Sequence, residues 1–187
     1  MVPFEKNAAL LLIDVQHAFD HPSWGSRNNP DAEENMAKIL AVWRETNRPV
    51  IHIQHVNPSP ESLFSTPEAC EIKAMVAPTG SEPVIRKQVN SAFIGTNLEA
   101  LLASQGIKTL VIVGLTTDHC VSTTTRMAKN LGFSPVLIAD ATATFNRVGH
   151  DGKHYTAEEI HRMNLVSLHE EFAAIMTTEQ LLQMARA

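Results

Sequence analysis

The sequence has few cysteines, no basic run and no long apolar run, and each of these absences excludes a class of protein. Two cysteines, Cys70 and Cys120, form at most one disulfide, so the chain is not a disulfide scaffold. The longest apolar run, residues 8–13, is far too short to cross a bilayer. The first residues do not combine a basic stretch with an apolar core, as a secretory signal does. We therefore expect a cytoplasmic protein with reduced cysteines and no membrane partner.

Charge and composition point to a globular protein that does not bind nucleic acid. The 15 Lys and Arg residues are outnumbered by 20 Asp and Glu residues, which gives a net charge of −5 and argues against a polyanionic partner. Hydrophobic residues make up 44% of the chain and charged residues 19%, which is typical of a folded domain. The length predicts one domain over residues 1–187.

Short apolar runs alternate with amphipathic stretches along the chain. The predicted strands are residues 8–13, 50–56, 84–85, 109–113, 135–139 and 172–176. The predicted helices cover residues 30–48, 98–105, 120–131, 156–168 and a last stretch from residue 177. This alternation predicts an α/β fold with helices on both faces of a parallel sheet. Such sheets bind ligands at the carboxyl ends of their strands.

Residues 57–83 interrupt the alternation. They contain five of the ten prolines and have no clear periodicity. A loop of this length within a compact domain is usually functional. We expect it to be either a lid over the binding site or a subunit interface.

Three chemically complementary side chains follow the predicted strands. Asp14 ends the first strand, Lys87 follows the third, and Cys120 begins the helix after the fourth. A helix start and a nearby ammonium both lower the pKa of a thiol, and a carboxylate can carry its proton. Backbone N–H groups of the turn 114–120 are placed to hold an oxyanion. Each residue alone has an ordinary structural explanation (apolar packing, a solvated charge, a helix cap), and it is their joint placement that favours catalysis.

The sequence lacks the motifs of several other classes of α/β enzyme. The first strand is not followed by G-x-G-x-x-G, which dinucleotide binding needs, and the chain contains no G-x-S-x-G elbow of a serine hydrolase. A phosphatase built on Asp-x-Asp would find Gln16 in place of its second carboxylate.

Three segments resemble the motifs of the isochorismatase-like cysteine hydrolases, in the same order. Residues 11–16, Leu-Leu-Ile-Asp-Val-Gln, with Phe19 after them, resemble the opening motif. Arg86 and Lys87, followed by Asn-Ser-Ala-Phe at 90–93, resemble the lysine motif. Residues 113–121, Val-Gly-Leu-Thr-Thr-Asp-His-Cys-Val, resemble the nucleophile motif. The resemblance extends over residues 10–182.

The resemblance implies a three-layer α/β/α fold with a mostly parallel, six-stranded, Rossmann-like sheet. It implies that Asp14, Lys87 and Cys120 form a catalytic triad. It also implies a cis peptide bond not involving proline, which we place between Leu115 and Thr116, and an oxyanion hole made by the N–H groups of Thr116 and Cys120. Members of the family tend to self-associate, so we expect a homo-oligomer, either a dimer or a tetramer.

The resemblance does not extend to a metal site. Nicotinamidases and similar relatives carry an Asp-x-His metal motif after the second strand, where residues 52–57 here read His-Ile-Gln-His-Val-Asn. We therefore predict no metal and no other cofactor. His52 and His55 should face opposite sides of their strand, with His55 toward the pocket, and His119 is a second candidate for substrate contact. We expect four other histidines at the surface: His150, His154, His161 and His169.

Aromatic residues are predicted to form the pocket wall. Of the 7 Phe, 2 Trp and 1 Tyr, five fall in loops at the predicted rim: Phe19, Trp24, Phe64, Phe93 and Phe145. Some are expected to pack the loops onto the sheet instead. Leu115 is a further predicted substrate contact. A mostly uncharged aromatic pocket suits a small, flat amide or ring.

Together these features predict a hydrolase that cleaves a non-peptide C–N bond of a small-molecule amide or lactam. Cys120 would attack the carbonyl to form a thioester, Asp14 would move the proton, and Lys87 would hold the thiolate. Two alternatives remain open. One is hydrolysis of a vinyl ether, as in isochorismatase, where a carboxylate acts as the acid and no thiol is needed. The other is a ligand-binding or redox-sensing protein on the same scaffold.

Overall fold

Fourteen helices and strands are assigned along residues 4–186, the part of the chain that the computed structural model describes. The ends of the predicted domain, residues 1–3 and 187, lie outside the described residues. The strands are β1 (Ala9–Ile13), β2 (Val50–His55), β3 (Val84–Lys87), β4 (Thr109–Leu115), β5 (Ser134–Ala143), β6 (Arg147–Val148), β7 (His154–Tyr155) and β8 (Ala174–Met176). The helices are α1 (Ala32–Glu45), α2 (Pro67–Cys70), α3 (Leu98–Ser104), α4 (Ser122–Asn130), α5 (Ala157–Leu168) and α6 (Thr178–Ala185). Within residues 4–186, no helix is both long enough and apolar enough to cross a membrane.

The central sheet has six strands in the order β3-β2-β1-β4-β5-β8, and every neighbouring pair is parallel. Strands β6 and β7 form a separate antiparallel pair. Parallel strands need crossover connections, and the helices between them supply these. The predicted three-layer α/β/α fold is confirmed.

The sheet separates two hydrophobic cores because successive side chains of a strand point to opposite faces. In β1, Leu10 and Leu12 belong to one core, and Leu11 and Ile13 belong to the other. Helices α1 and α6 cover the first core, and α3, α4 and α5 cover the second. Strands buried on both faces read as continuous apolar runs, which is why the sequence predicts them well.

The helices agree with the predicted pattern except at their ends. The apolar stripe of α1 is fully buried: Met36, Ile39, Leu40 and Trp43. Capping boxes at Thr156 and Thr177 begin α5 and α6, where the sequence predicts these helices to start. Strand β8 begins at Ala174, two residues later than predicted.

The proline-rich segment, residues 57–83, contains α2 and a short 3-10 turn, Ala74–Val76. Glu82 attaches the last part of the segment to α1 and β2. Its carboxylate accepts hydrogen bonds from Arg44 of α1 and pairs with His52 of β2. The side chain of Val76 is fully buried. The segment therefore packs onto the domain at several points, and its role as a lid or an interface remains a prediction.

Candidate active site

The carboxyl ends of four parallel strands meet at one edge of the sheet. Ile13, at the end of β1, pairs with Ile53 of β2 and Gly114 of β4, and His55 of β2 pairs with Lys87 of β3. The residues at or just after these strand ends therefore come together. This is the edge at which the sequence predicts the site.

Two unusual backbone conformations shape this edge. Asp14 has a φ of 52°, which is uncommon for a residue other than glycine and is typical of functional sites. Gly114 has a φ of 125°, and a Cβ atom there would overlap the carbonyl oxygen of Ile13. Only glycine lets β4 approach β1 this closely. The chain that leads to Cys120 is thereby placed next to Asp14.

Lys87 is the centre of the site. Its Nζ lies 2.7 Å from Asp14 Oδ2, 3.0 Å from His55 Nδ1 and 3.3 Å from Cys120 Sγ. Asp14, Lys87 and Cys120 are all buried. The structure thus brings the three predicted triad residues into contact and adds His55 as a fourth member of the cluster.

Cys120 differs from its prediction in two respects. It lies in a π-helical turn, Thr117–Val121, just before α4, whereas the sequence placed it at the start of that helix. Burial, and next the negative charge of Asp14, raise the pKa of Cys120 to about 12, and Lys87 only partly offsets them. The expectation of a depressed thiol pKa is therefore wrong. The resting side chain is a neutral thiol, because desolvation of a thiolate outweighs one nearby ammonium.

The carboxyl group of Asp14 is buried beside this thiol. Burial raises its pKa, against the opposing charge and hydrogen bond of Lys87. Its Oδ2 accepts from Lys87, while its buried Oδ1 has no hydrogen-bond partner among residues 4–186. A carboxylate oxygen without a partner, beside a protonated thiol, is suited to accept the proton of that thiol.

The predicted cis peptide bond between Leu115 and Thr116 is confirmed. It precedes the turn that carries Cys120, and Thr116 is one of the residues that line the site. The use of the Thr116 and Cys120 N–H groups as an oxyanion hole stays a prediction.

A cavity of about 170 Å³ opens above the cluster. It is lined by Asp14, Phe19, Trp24, His55, Phe64, Asn90, Thr116, His119 and Cys120. Phe19 contacts the rings of Trp24 and Phe64, with centroids 5.1 and 5.3 Å apart, so the three aromatics form a continuous wall. A larger groove, about 840 Å³, lies beside β3 at the outer edge of the sheet and contains none of these residues. Asp14 and Cys120 therefore open onto the smaller cavity and not onto the larger groove.

Three predicted pocket residues do not line this cavity. Phe93 is buried in the core on the α3 side, where it stacks on Phe133 at 5.7 Å, because the turn after Lys87 folds back onto that face. Phe145 is buried behind the aromatic wall and stacks on Trp24 at 5.1 Å. The side chain of Leu115 is fully buried in the core.

Three histidines predicted at the surface, His150, His154 and His169, are exposed, but His161 is not. His161 is buried on the inner face of α5, and its Nδ1 lies 2.9 Å from the hydroxyl of Thr117. It therefore supports the turn that carries Cys120. Its helical spacing with the buried Ala157 and Leu168 is the signal that could have placed it.

Other residues with a place at the site were not predicted to have one. Asn90 lines the cavity, and its position three residues after Lys87 in the lysine motif is the available signal. Asp118 accepts hydrogen bonds from Thr144 and Arg147, and thereby connects the turn that carries Cys120 to the segment that follows β5.

The donor atoms do not fit a metal ion while Lys87 is in place. Asp14, His55 and Cys120 offer atoms within 4.8 Å of one another, a spacing that a metal ion could bridge. The Lys87 ammonium lies within hydrogen-bonding distance of the same three side chains. It supplies the positive charge that a metal would bring there, so a metal would have to displace it.

Comparisons with known proteins of similar sequence and structure show the family of this chain. The Isochorismatase domain family matches residues 8–180. The isochorismatase family protein YrdC of Bacillus subtilis is 53% identical over 179 residues, with 95% of this chain and 96% of YrdC covered. Nicotinamidase 3 of Arabidopsis thaliana is 30% identical, with 96% and 89% covered.

Among solved structures, an isochorismatase-family protein from Chromobacterium violaceum superposes with a TM-score of 0.96 at 40% identity. The match covers 100% of this chain and 97% of that one. The family model, the sequence relatives and the solved structure therefore all indicate one family. The chain belongs to the isochorismatase-like hydrolase family.

Proposed function

We propose that this hydrolase is a cysteine amidohydrolase that cleaves a non-peptide C–N bond of a small, uncharged amide or lactam through a thioester. The observation that carries the proposal is the contact of one buried ammonium, Lys87, with both the Asp14 carboxylate and the Cys120 sulfur. This arrangement joins a base, a nucleophile and a counter-charge at the floor of a cavity.

The first half of the reaction forms the thioester. Cys120 Sγ attacks the amide carbon while its proton moves to Asp14, whose Oδ1 has no other partner. The sulfur develops negative charge only in this step, and Lys87 stabilises it there. The C–N bond then breaks, and Asp14 gives the proton to the departing amine.

The second half releases the acid. Asp14 takes a proton from a water molecule, and the hydroxide attacks the thioester carbon. The C–S bond breaks, and the proton passes from Asp14 to Cys120, which restores the neutral thiol. In both halves the carbonyl oxygen becomes an oxyanion, which we assign to the N–H groups of Thr116 and Cys120.

The cavity supports a small and uncharged substrate. At about 170 Å³ it is smaller than the pockets of roughly 300–1,000 Å³ that hold drug-sized ligands. Lys87 has three N–H donors, and its three contacts occupy all of them, so the lysine has none left for a substrate carboxylate. The aromatic wall offers flat apolar surface instead. Nicotinamidase 3, one of the relatives, acts on an amide by its name.

A panel of small amides tests the proposal, with ammonia or amine release as the measurement. The panel contains nicotinamide, a lactam, a carbamoyl compound and, as the anionic member, maleamate. We expect turnover of at least one neutral member and a much slower reaction of maleamate. Cys120→Ala should remove that turnover, whereas Cys70→Ser is the matched control and should keep it.

Two results would contradict the proposal. One is full turnover of an amide by Cys120→Ala. The other is hydrolysis of a vinyl ether by the parent protein without any reaction across the amide panel.

A further inference from the structure

His55 has one nitrogen in contact with Lys87 and one without a protein partner. The Lys87 ammonium can only donate hydrogen bonds, so the contact of 3.0 Å requires His55 Nδ1 to accept. Since Nδ1 carries no proton, the neutral ring carries it on Nε2. Within residues 4–186, Nε2 has no hydrogen-bond partner, and the ring lines the cavity. The neutral His55 ring is therefore held in one tautomer, and its Nε2–H is a donor that no residue of the range 4–186 uses.

The surroundings hold the ring in this state. The Gln16 side chain accepts from the His55 N–H at 2.8 Å and donates to the His55 carbonyl at 2.9 Å, so it fixes the backbone on both sides. Phe64 packs edge-on against the ring with centroids 4.9 Å apart. Burial, and next the charge of Lys87, lower the pKa of His55 to about 4, so the ring is neutral at neutral pH.

We infer that His55 has two separate tasks in the proposed reaction. Its Nδ1 holds Lys87 in position between Asp14 and Cys120, and its Nε2–H donates a hydrogen bond to the substrate in the cavity. The substrate therefore carries a neutral acceptor, a carbonyl oxygen or a ring nitrogen, within reach of the scissile amide. This inference rests on the proposed function, because it assigns a residue and a substrate feature to that same site.

Two variants separate the tasks because their side chains differ in reach. His55→Asn places a carbonyl oxygen near the position of Nδ1 and has no donor at the position of Nε2. His55→Gln extends its amide toward the position of Nε2 and leaves Lys87 without the acceptor. A single role in packing would make the two variants behave alike.

Alkylation of Cys120 by iodoacetamide, itself a small neutral amide, measures the two tasks without any turnover. The background is Cys70→Ser, so only one thiol reacts, and mass spectrometry follows the reaction at about pH 9, below the Cys120 pKa of about 12. The maximal rate reports how well Lys87 supports the thiolate. The half-saturating concentration reports how well the cavity binds the amide.

We expect the two variants to give a crossed pattern. His55→Asn should raise the half-saturating concentration about fivefold, as loss of one neutral hydrogen bond does, with a change of less than about twofold in maximal rate. His55→Gln should lower the maximal rate about tenfold, the effect of a one-unit rise in the thiol pKa, with binding less affected. On an amide that the panel identifies, His55→Asn should act mainly on KM.

The opposite outcomes overturn the inference. It is wrong if the two variants shift both quantities to the same extent, or if His55→Asn leaves the half-saturating concentration unchanged. If no amide is hydrolysed but the crossed pattern appears, the assignment of His55 holds and the proposed amidohydrolase activity is wrong. If an amide is hydrolysed and the pattern is absent, only the assignment of His55 is wrong.

Discussion

The two cysteines of this chain are both buried, and burial raises the pKa of both thiols. They differ in their neighbours. Cys120 lies against the ammonium of Lys87 and beside the carboxylate of Asp14, whereas the thiol of Cys70 donates to the carbonyl oxygen of Phe64 at 3.0 Å. Burial by itself therefore makes a cysteine inert, and a base and a counter-charge within reach make the same residue a candidate nucleophile.

The difference between the cysteines should be largest in activity. Cys120→Ala removes the nucleophile, so we expect turnover of the identified amide to fall by a factor on the order of 10³ or more. Steady-state ammonia release measures it. Residual activity near that of the parent would place the chemistry elsewhere in the cavity.

Removing the Asp14 carboxylate should separate the contribution of the base from that of the Lys87 ammonium. Asp14→Asn keeps an oxygen for Lys87 but loses the proton acceptor, so we expect kcat to fall about 10²–10⁴-fold. The circular dichroism spectrum should match that of the parent, which shows that the loss is chemical. A fall below tenfold would mean that another group takes the thiol proton.

Gly114, in the strand that leads to Cys120, lies where β4 approaches β1 closely. Gly114→Ala would place a Cβ atom against the Ile13 carbonyl, in a region of φ that alanine avoids. We expect the free energy of unfolding to fall by about 3 kcal/mol or more, together with activity. Urea denaturation measures the first quantity. Alanine at Gly80, which has open space around it, is the control for positive φ alone.

An ion pair between Lys73 and Glu33 attaches the segment that carries Cys70, residues 57–83, to α1. Glu33 accepts hydrogen bonds from Arg27 and from Lys73. Burial by itself raises the pKa of Glu33, but the hydrogen bonds and charges of these two partners lower it from 4.5 to about 2. A depressed carboxyl pKa stabilises the fold above about pH 4.5, and this contribution is lost as the pH falls through 2.

Glu33→Gln should therefore lower the free energy of unfolding at neutral pH by about 2 kcal/mol, the scale of a hydrogen bond to a charged group. The difference between variant and parent should shrink as the pH falls toward 2. Denaturation over a pH series measures it. A difference that does not depend on pH would mean that packing, and not charge, is what Glu33 contributes.

The smallest effect is expected at Cys70 itself. Cys70→Ser can donate the same hydrogen bond to Phe64, so we expect amide turnover within about twofold of the parent and a small change in stability. A large loss of turnover with an unchanged melting temperature would show that Cys70 has a chemical role.

The sequence predicts the sheet and the catalytic centre because both depend on patterns of local origin. Strands buried on both faces are continuous apolar runs, and Asp14 and Lys87 stand at or just after strand ends that the parallel sheet must bring together. The placement of Cys120 in a π-helical turn, by contrast, is not visible as a change in apolar spacing.

The remaining wrong predictions concern where side chains point and whether a pKa rises or falls. The spacing of residues in the sequence does not determine these properties. Asn90 and Phe93 belong to the same short stretch after Lys87, but only Asn90 lines the cavity, because the turn between them buries the apolar ring of Phe93 against Phe133. The pKa of Cys120 rises instead of falling because the balance between burial and Lys87 depends on how completely water is excluded, which a sequence does not state. The helical spacing of His161 could have indicated its burial, but not its contact with Thr117, because the two residues are distant in the chain.

The most direct test of this account is to trap the intermediate. The protein is mixed with an amide that it hydrolyses, quenched in acid and digested, and the peptides are weighed by mass spectrometry. We predict that the peptide containing Cys120 gains the mass of the acyl group and the peptide containing Cys70 does not. Rapid turnover with no acyl adduct on Cys120 in the parent, together with undiminished turnover in Cys120→Ala, would contradict it.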